Sequence, residues 1–476
     1  MPGPESHPLE LSPDEIRSLV DEATRRILDH LAALPGVPTR EVDLDHPSVR
    51  VETAPPEHGT PVPELFDHLF DDLVPNSFAN PSAGFMAFIP GGGILHSAVA
   101  DLIANAVNRY VTVWAAAPGL AALELSVVRW FCHLVGYPDD ASGFLSTGGS
   151  LANFSGIFTA RRERLPEDFL GGRIYCADQV HHSIHRAATL AGFPQSAVRS
   201  IGVDSEFRLR LDELEAAIAT DRVNGATPFL VVASAGTTNT GAVDDLEAIA
   251  DLCAREKLWF HVDATYGGFF VLTERGRKRL RGLGRADSLS LDPHKGLFLP
   301  YGTGCLLVRD GAALARAHEI HADYMPPMQH SNERVDFCNI SPELSRDFRG
   351  LRVWLPVKMH GIDAFRQALD EKLDLTLWAT EELRAIEHLR IVAEPQLSVV
   401  AFRLEPPGVE GEALDRLNRD LIERVNQRQR VLLTGTVLDG RFALRICVVT
   451  FRTHRDRVAM AVEDVQEAAA ELLPLP

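Results

Sequence analysis

Short apolar runs alternate with helical stretches between about residues 120 and 310, and this alternation constrains the fold more than any other feature. Apolar spacing of the i, i+3, i+4 kind marks helices at 211–219 and 245–257. Strands that alternate with helices form a mainly parallel sheet covered on both faces, and such sheets bind ligands at the carboxyl ends of their strands. The predicted strands are 173–177, 198–203, 229–234, 259–263, 288–291 and 304–308.

The flanking regions predict two further parts of the chain. Residues 1–80 contain one helical pattern, with Ser12 as its N-cap, and then a proline-rich connector, so we expect an arm that packs on another subunit. Residues 81–360 are expected to form the large α/β domain. Residues 361–476 are expected to form a small α+β domain, in which helical stretches precede strand-like runs at 397–403, 431–434 and 442–449.

The charge balance limits the partners of the chain. Its 47 Lys and Arg face 66 Asp and Glu, which gives a formal net charge of −19. Nucleic acids and anionic membranes attract clustered basic residues, so neither is expected as a partner. The best apolar candidate for a membrane span, 84–107, is interrupted by Pro90 and Asp101, and no signal peptide is visible. Six singly spaced cysteines indicate reduced thiols, and we expect a cytoplasmic protein.

The run Ser-Thr-Gly-Gly-Ser at 146–150 precedes a helical stretch. Glycines let the backbone approach a ligand closely, and a helix start offers free N–H groups at the positive end of its dipole. Gly149 and Ser150 are therefore candidates for binding a phosphate. The alternative is an ordinary loop with a serine cap.

Two predicted strands end on residues suited to a cofactor. Strand 259–263 ends on Asp263, and a buried carboxylate needs a cationic partner such as a protonated ring nitrogen. Lys295 follows strand 288–291, and in a poorly solvated pocket its pKa is expected to fall, which makes it a nucleophile toward aldehydes. The alternatives are a turn-capping aspartate and a surface lysine. Together with a phosphate site, these residues match the needs of pyridoxal phosphate.

The histidine cluster after strand 173–177 allows two interpretations. His181, His182 and His185 could bind a metal, but no nearby acidic residue or cysteine completes a familiar ligand pattern. We favour one imidazole stacked on a planar cofactor ring.

The sequence resembles the group II pyridoxal-phosphate decarboxylases over nearly its whole length. The resemblance is carried by Asp-Pro-His-Lys at 292–295 and His-Val-Asp-Ala at 261–264. It implies the α/β fold of type I pyridoxal-phosphate enzymes, which is similar to aspartate aminotransferase. It also implies that Lys295 forms the Schiff base with the cofactor, Asp263 pairs with the pyridine nitrogen, and His181 is the stacking histidine.

The same resemblance implies a set of further cofactor-binding residues: Gly149, Ser150, Thr238, Thr265, Asp292 and His294. Two of these positions depart from the family pattern. Many relatives have asparagine at the position of Asp292, where a carboxylate repels the phosphate unless it turns away or is neutralised. Relatives have a small residue at the position of Thr265, so the threonine is expected to crowd the ring or to hydrogen-bond to it.

Substrate-binding residues are also implied by the resemblance. In relatives, a mobile loop carries a tyrosine that completes the active site and donates a proton, and Tyr324 matches it. Other segments line the substrate pocket, in part from the second subunit. The matching positions are Phe88, Ile89, Gly91, Tyr110, Thr112 and Ser345.

The expected function is decarboxylation of an L-amino acid, with an aromatic side chain favoured by the apolar character of 85–90. A homodimer with shared active sites is expected. Three enzymatic alternatives remain: an aldehyde synthase, a glutamate or diaminobutyrate type of decarboxylase, and an aminotransferase using Arg349 or Arg445 as a carboxylate clamp. A catalytically silent interaction protein is the non-enzymatic alternative.

Overall fold

The structure, a computed structural model, describes residues 9–39, 42–319, 330–331 and 333–473. Its central sheet has the strand order β1-β7-β6-β5-β4-β2-β3, in which β7 runs antiparallel to both neighbours and the other pairs are parallel. The fold class predicted from the sequence is thus present. The seven strands are β1 (Ser142–Ser146), β2 (Gly172–Ala177), β3 (Val198–Ile201), β4 (Thr227–Ser234), β5 (Trp259–Asp263), β6 (Ser288–Leu291) and β7 (Gly304–Val308).

The register of the central strands brings their carboxyl ends together. Asp263, the last residue of β5, lies between Ser234 of β4 and Ser290 of β6. The segment that carries Lys295 begins directly after β6. Asp263 and Lys295 therefore share one edge of the sheet, as the strand pattern predicts.

The described helices cover both faces of this sheet and the region that follows it. Alternate strand residues enter different cores, because successive side chains point to opposite faces: Val231 packs in one core and Val232 in the other. The helices are α1 (Pro13–Ala33), α2 (Val62–Asp67), α3 (Leu95–Val107), α4 (Pro118–Val135), α5 (Gly149–Arg164), α6 (Ser183–Leu190), α7 (Leu211–Val223), α8 (Leu246–Glu256), α9 (Glu274–Arg279), α10 (Pro293–Gly296), α11 (Gly311–His318), α12 (Gly350–Arg384), α13 (Gly411–Gln427) and α14 (Arg455–Leu472).

The C-terminal part forms a second sheet with the order β10-β11-β13-β12, entirely antiparallel. Helices α12, α13 and α14 pack against it around Phe402 and Leu444. Helix α12 is broken at Gly361, where φ is 72°, next to the predicted boundary at residues 360 and 361. The remaining strands are β8 (His330–Ser331), β9 (Arg334–Val335), β10 (Leu389–Ala393), β11 (Val399–Leu404), β12 (Thr434–Leu438) and β13 (Arg441–Cys447).

Several strand assignments differ from the sequence pattern, which also does not predict β8, β9 or most of β12. β1 was not expected because its five residues include two serines and a glycine, yet pairing with β7 buries all of them. β10 was not expected because it follows a long helix and exposes Arg390. In the predicted strand 431–434, only Thr434 belongs to a strand, as the first residue of β12. Leu432 instead forms a single parallel bridge with Phe85.

The N-terminal arm begins as predicted and exposes apolar side chains. Ser12 caps α1 in a capping box with Glu15. No residue of α1 is buried, and Ile16, Val20 and Leu28 are exposed. A free apolar helix face of this kind is typical of a surface that packs on a partner.

Among the described residues, α4 alone is long and apolar enough to cross a membrane by length and composition, whereas the interrupted run 84–107 contains only the shorter apolar helix α3. Helix α4 lies against the central sheet, with Val127, Val128 and Phe131 in the core. A helix in the interior of a globular protein has the same composition.

A buried ion pair joins α4 to the start of α12. Arg346 Nη2 lies 2.5 Å from Glu124 Oε1, and both side chains are fully buried. The other oxygen of Glu124 accepts the backbone N–H of Gly350 at 3.1 Å. Loss of the carboxylate would leave the guanidinium of Arg346 buried with a missing partner.

We therefore expect Glu124→Ala to lower the free energy of unfolding by about 3–5 kcal/mol, measured by urea denaturation. The matched control is Glu274→Ala, which removes an exposed i,i+4 ion pair with Lys278 and should leave the denaturation midpoint unchanged. Equal effects of the two substitutions would contradict a structural role for the buried pair.

Candidate active site

A cavity of about 300 Å³ lies at the carboxyl edge of the central sheet, against the start of α5. It brings together most of the predicted cofactor-binding residues from four separate segments of the chain. The residues that line it are Thr147, Gly148, Gly149, Ser150, Leu151, Asn153, His181, Ser183, Thr265, Asp292, His294 and Lys295.

One end of the cavity is suited to an anion. A Cβ at Gly149 would overlap Thr265 Cγ2 and lie 3.1 Å from Asp292 Oδ2, so only glycine fits at this contact. The start of α5 therefore approaches the cavity as bare backbone, with the positive end of the helix dipole. His294 lines the same space and donates from Nδ1 to the carbonyl of Thr303 at 2.8 Å.

Asp263 lies just behind the cavity with almost no exposure to solvent. Oδ1 accepts the Thr265 hydroxyl at 2.8 Å, and Oδ2 accepts Asn153 Nδ2 at 3.0 Å. Burial alone would raise the pKa of Asp263, but Lys295 and the Thr265 hydroxyl outweigh it and hold the pKa below the ordinary value. The carboxylate is therefore ionised, as a partner for a protonated ring nitrogen must be.

Lys295 forms an ion pair with the N-cap residue of its own short helix. Nζ lies 2.8 Å from Asp292 Oδ2, three residues earlier in the chain. Burial favours a lower pKa for Lys295, but the Asp292 carboxylate raises the pKa above its ordinary value. The prediction that the pKa of Lys295 falls is therefore wrong for the polypeptide without cofactor. The same contact shows how the charge of Asp292 is neutralised.

His181 lines the cavity, whereas His182 and His185 are exposed. Its Nδ1 lies 2.8 Å from the Ser183 hydroxyl. Burial lowers the pKa of His181, so the imidazole is neutral at physiological pH. Within the residues that the structure covers, no three His, Cys, Asp or Glu side chains are grouped so that they could hold a metal ion.

Thr238 lies in the loop after β4 and does not line the cavity. The neighbouring hydroxyl of Thr237 is already engaged, since it lies 2.8 Å from the Thr240 hydroxyl and accepts the N–H of Ala242. Because the Thr237 hydroxyl is engaged in this way, Thr238 is the better candidate of the two for contacting the cofactor, and its role stays a prediction.

The predicted substrate residues are only partly near the cavity. Gly91 packs against the loop of Lys295, because a Cβ there would lie 2.9 Å from the carbonyl oxygen of His294. Ile89 is buried, and Phe88 is 51% exposed. Tyr324 lies outside the described residues. The remaining three residues, which do not line the cavity in this chain, are Tyr110, Thr112 and Ser345.

The two arginines considered as a carboxylate clamp have other partners. Arg349 pairs with Glu343 at 2.6 Å and with Asp347 at 2.8 Å. Arg445 is buried and donates to the carbonyl of Phe88 at 2.8 Å. The guanidinium of Arg349 is therefore already neutralised, which disfavours an aminotransferase clamp at that position.

Two residues of the site were missed in the sequence. Asn153 contacts Asp263, and Ser183 contacts His181. Asn153 is a buried polar residue four positions after Gly149, and this spacing places both on one face of α5. That spacing was the available signal for Asn153, and the i, i+2 offset from His181 was the signal for Ser183.

These groups fit the cofactor expected from the sequence. The bare helix start suits a phosphate, the ionised carboxylate of Asp263 suits a protonated pyridine nitrogen, and Lys295 supplies an amine for the aldehyde. All three lie at the same sheet edge around a single cavity.

Comparison with known proteins agrees with this geometry. Residues 46–405 match the model of the pyridoxal-dependent decarboxylase conserved domain. The aromatic-L-amino-acid decarboxylase of Bacillus atrophaeus is 34% identical over 471 residues, which cover 98% of each chain. The crystal structure of Oryza sativa TDC with PLP and tryptamine superposes with a TM-score of 0.92 at 27% identity, covering 98% of this chain and 100% of the other.

A second solved structure, Catharanthus roseus tryptophan decarboxylase in complex with L-tryptophan, has a TM-score of 0.91 at 25% identity, covering 98% of this chain and 100% of that one. The predicted fold class, family, cofactor and reaction type are confirmed by these matches. The chain belongs to the pyridoxal-dependent decarboxylases and is a carboxy-lyase that uses pyridoxal phosphate to decarboxylate an amino acid.

Proposed function

We propose that this enzyme decarboxylates an aromatic L-amino acid to the corresponding amine and CO2, with Lys295, Asp263 and His181 as its catalytic residues. The observation that carries the proposal is the shared cavity, around which an ionised carboxylate, a lysine and a helix start converge. The other cofactor contacts in the proposal are Gly149, Ser150, Thr238, Thr265, Asp292 and His294.

When bound, pyridoxal phosphate supplies an aldehyde for the substrate amine and a ring that accepts the electron pair released with CO2. Lys295 Nζ would hold the cofactor covalently and would release it to the substrate amine. Asp263 holds a proton on the ring nitrogen, because its carboxylate stays ionised in a buried site. The α5 backbone from Gly149 onward binds the phosphate and thereby fixes the position of the ring.

His181 lines the cavity beside these groups and is proposed to orient the substrate. Its lowered pKa keeps the ring neutral, so it adds no positive charge that would compete with the cofactor ring. Tyr324, together with His181, is proposed to deliver the proton that replaces the lost carboxylate.

Relatives and composition both support an aromatic substrate. The Bacillus atrophaeus relative is named an aromatic-L-amino-acid decarboxylase, and the Catharanthus roseus structure contains L-tryptophan. Phe78, Phe85 and Phe88 form a ring cluster, with centroids 6.1–6.4 Å apart, in the segment that leads to Gly91. We propose that this segment, with Tyr110, Thr112 and Ser345, forms the substrate pocket.

We further propose a homodimer with shared active sites, located in the cytoplasm. The exposed apolar face of α1 supports an arm, residues 1–80, that packs on the second subunit. The proposed large domain is 81–360 and the small domain 361–476. Free cysteines support a reducing compartment, since no disulfide joins the six thiols.

The proposed reaction is tested by measuring amine and CO2 from tyrosine, Dopa, phenylalanine, tryptophan, glutamate and diaminobutyrate. We expect one amine per CO2 from at least one aromatic substrate, at a rate far above that from the acidic or basic ones. Lys295→Ala should abolish turnover, because it removes the amine that binds the cofactor.

Product analysis separates the alternatives. Aldehyde and hydrogen peroxide formed at the rate of CO2 release would identify an aldehyde synthase. Preferred turnover of glutamate or diaminobutyrate would overturn the aromatic assignment while leaving the decarboxylase activity in place.

The contact between Asp292 and Lys295 predicts a pH effect on cofactor loading. Without the carboxylate, burial lowers the pKa of Lys295 and enlarges its reactive neutral fraction. We expect the loading rate of Asp292→Asn, followed by visible absorbance after adding pyridoxal phosphate to cofactor-free enzyme, to reach half its plateau at a lower pH than in the wild type. Asp212→Asn, at an exposed site, is the control, and an unchanged midpoint in Asp292→Asn would refute the assignment.

A further inference from the structure

Asn153 connects two groups of the site that belong to different elements. Its side chain is only 1% exposed. Nδ2 donates to Asp263 Oδ2 at 3.0 Å and to the Ser183 hydroxyl at 3.1 Å. One amide nitrogen thus contacts both the carboxylate behind the cavity and the serine beside His181.

The orientation of this amide is fixed by a chain of buried hydrogen bonds. Trp259 Nε1 donates to the Ser288 hydroxyl at 2.8 Å. Ser288 donates in turn to His261 Nδ1 at 2.8 Å, and His261 Nε2 donates to Asn153 Oδ1 at 3.0 Å. The ionised carboxylate of Asp263 can only accept, so Asn153 turns Nδ2 toward it and Oδ1 toward His261, whose Nε2 must therefore donate.

The histidine within this chain is neutral. Burial lowers the pKa of His261 to about 4, so a single ring proton is present at physiological pH. That proton lies on Nε2, because Nε2 faces the Asn153 amide oxygen, which can only accept; Nδ1 is then the acceptor of the Ser288 hydroxyl. The amide oxygen of Asn153 is therefore held by a donor, and its two N–H groups must point toward Asp263 and Ser183.

The hydrogen bond from Asn153 to Ser183 acts, through that serine, on the tautomer of His181. Ser183 Oγ accepts from Asn153 and lies 2.8 Å from His181 Nδ1, and because that nitrogen also accepts a backbone N–H, the serine hydroxyl donates its proton to it. The backbone N–H of Ser183 donates to the same nitrogen at 3.3 Å. Because Nδ1 accepts two hydrogen bonds, the proton of neutral His181 lies on Nε2.

We propose that Asn153 is a positioning residue whose single amide both orients the Asp263 carboxylate toward the cofactor ring and holds His181 as the Nε2–H tautomer. His181 then offers a hydrogen-bond donor, rather than a basic lone pair, from Nε2. This inference rests on the proposed function for its catalytic meaning. The hydrogen-bond network itself can be tested on the cofactor-free protein.

The test compares two single substitutions that separate the hydrogen bond to Asp263 from the hydrogen bond to Ser183. Asn153→Ala removes both hydrogen bonds and should weaken pyridoxal-phosphate binding about tenfold or more, since a hydrogen bond to a buried charge is lost. Ser183→Ala removes only the hydroxyl that connects Asn153 to His181 and should leave cofactor affinity within about twofold of the wild-type value. Ser155→Ala is the matched control, because Ser155 lies on the same helix with a buried hydroxyl that has no hydrogen-bond partner among the described residues.

The second readout is the protonation of His181. Loss of the Ser183 hydroxyl removes a donor that stabilises neutral His181, so the pKa of His181 should rise by about half a unit to one unit. The acidic limb of the pH profile of kcat should then move to higher pH. Ser183→Thr should restore the wild-type profile. The charged or titratable groups that face His181 and act on its pKa are Asp263, His182, Lys295 and Asp292.

The tautomer is measured directly by NMR of protein with 15N-labelled histidine, with His181→Gln used to assign the signal. The expected spectrum shows an Nε2–H imidazole in the wild type and a mixture of tautomers in Ser183→Ala. An Nδ1–H signal in the wild type, or unchanged cofactor affinity in folded Asn153→Ala, overturns the inference. If Asn153→Ala does not fold, an identical His181 spectrum in Ser183→Ala and wild type overturns it. A wild type that binds cofactor but forms no amine refutes only the proposed function.

Discussion

The site depends on keeping a negative charge buried at the end of β5. Asp263 is 6% exposed, and an isolated carboxylate in such a place would take up a proton. Three partners from different elements prevent this: Lys295 after β6, Thr265 after β5 and Asn153 in α5. The parallel register of the central strands is what allows these partners to meet, because it brings the strand ends to one line.

The sequence predicted the residues whose placement follows from strand ends. Asp263 and Lys295 could be found because an apolar run that stops at a polar residue is a local pattern, and parallel strands align their ends. Asn153 could not be found in this way, since its role depends on how α5 packs across the sheet. The pKa of Lys295 was predicted with the wrong sign because desolvation was considered alone, although Asp292 stands only three residues earlier in the sequence.

Other differences arise from pairing between distant parts of the chain. β1 has little apolar character, and only its partner β7 makes it a strand. Leu432 belongs to an apolar run that resembles a strand, but its bridge to Phe85 connects it to the segment that precedes Gly91. In both places the decisive contact lies more than a hundred residues away, beyond the reach of local periodicity.

The contact between Gly149 and Thr265 links two positions in the evolution of this enzyme. The threonine methyl occupies the space that a side chain at 149 would need, so a larger residue at 149 is tolerated only after 265 has become smaller. The order in which such mutations could accumulate is therefore constrained, and lineages that carry threonine at 265 are confined to glycine at the helix start. Epistasis of this type would let the two positions vary together while the backbone at the start of α5 keeps its shape.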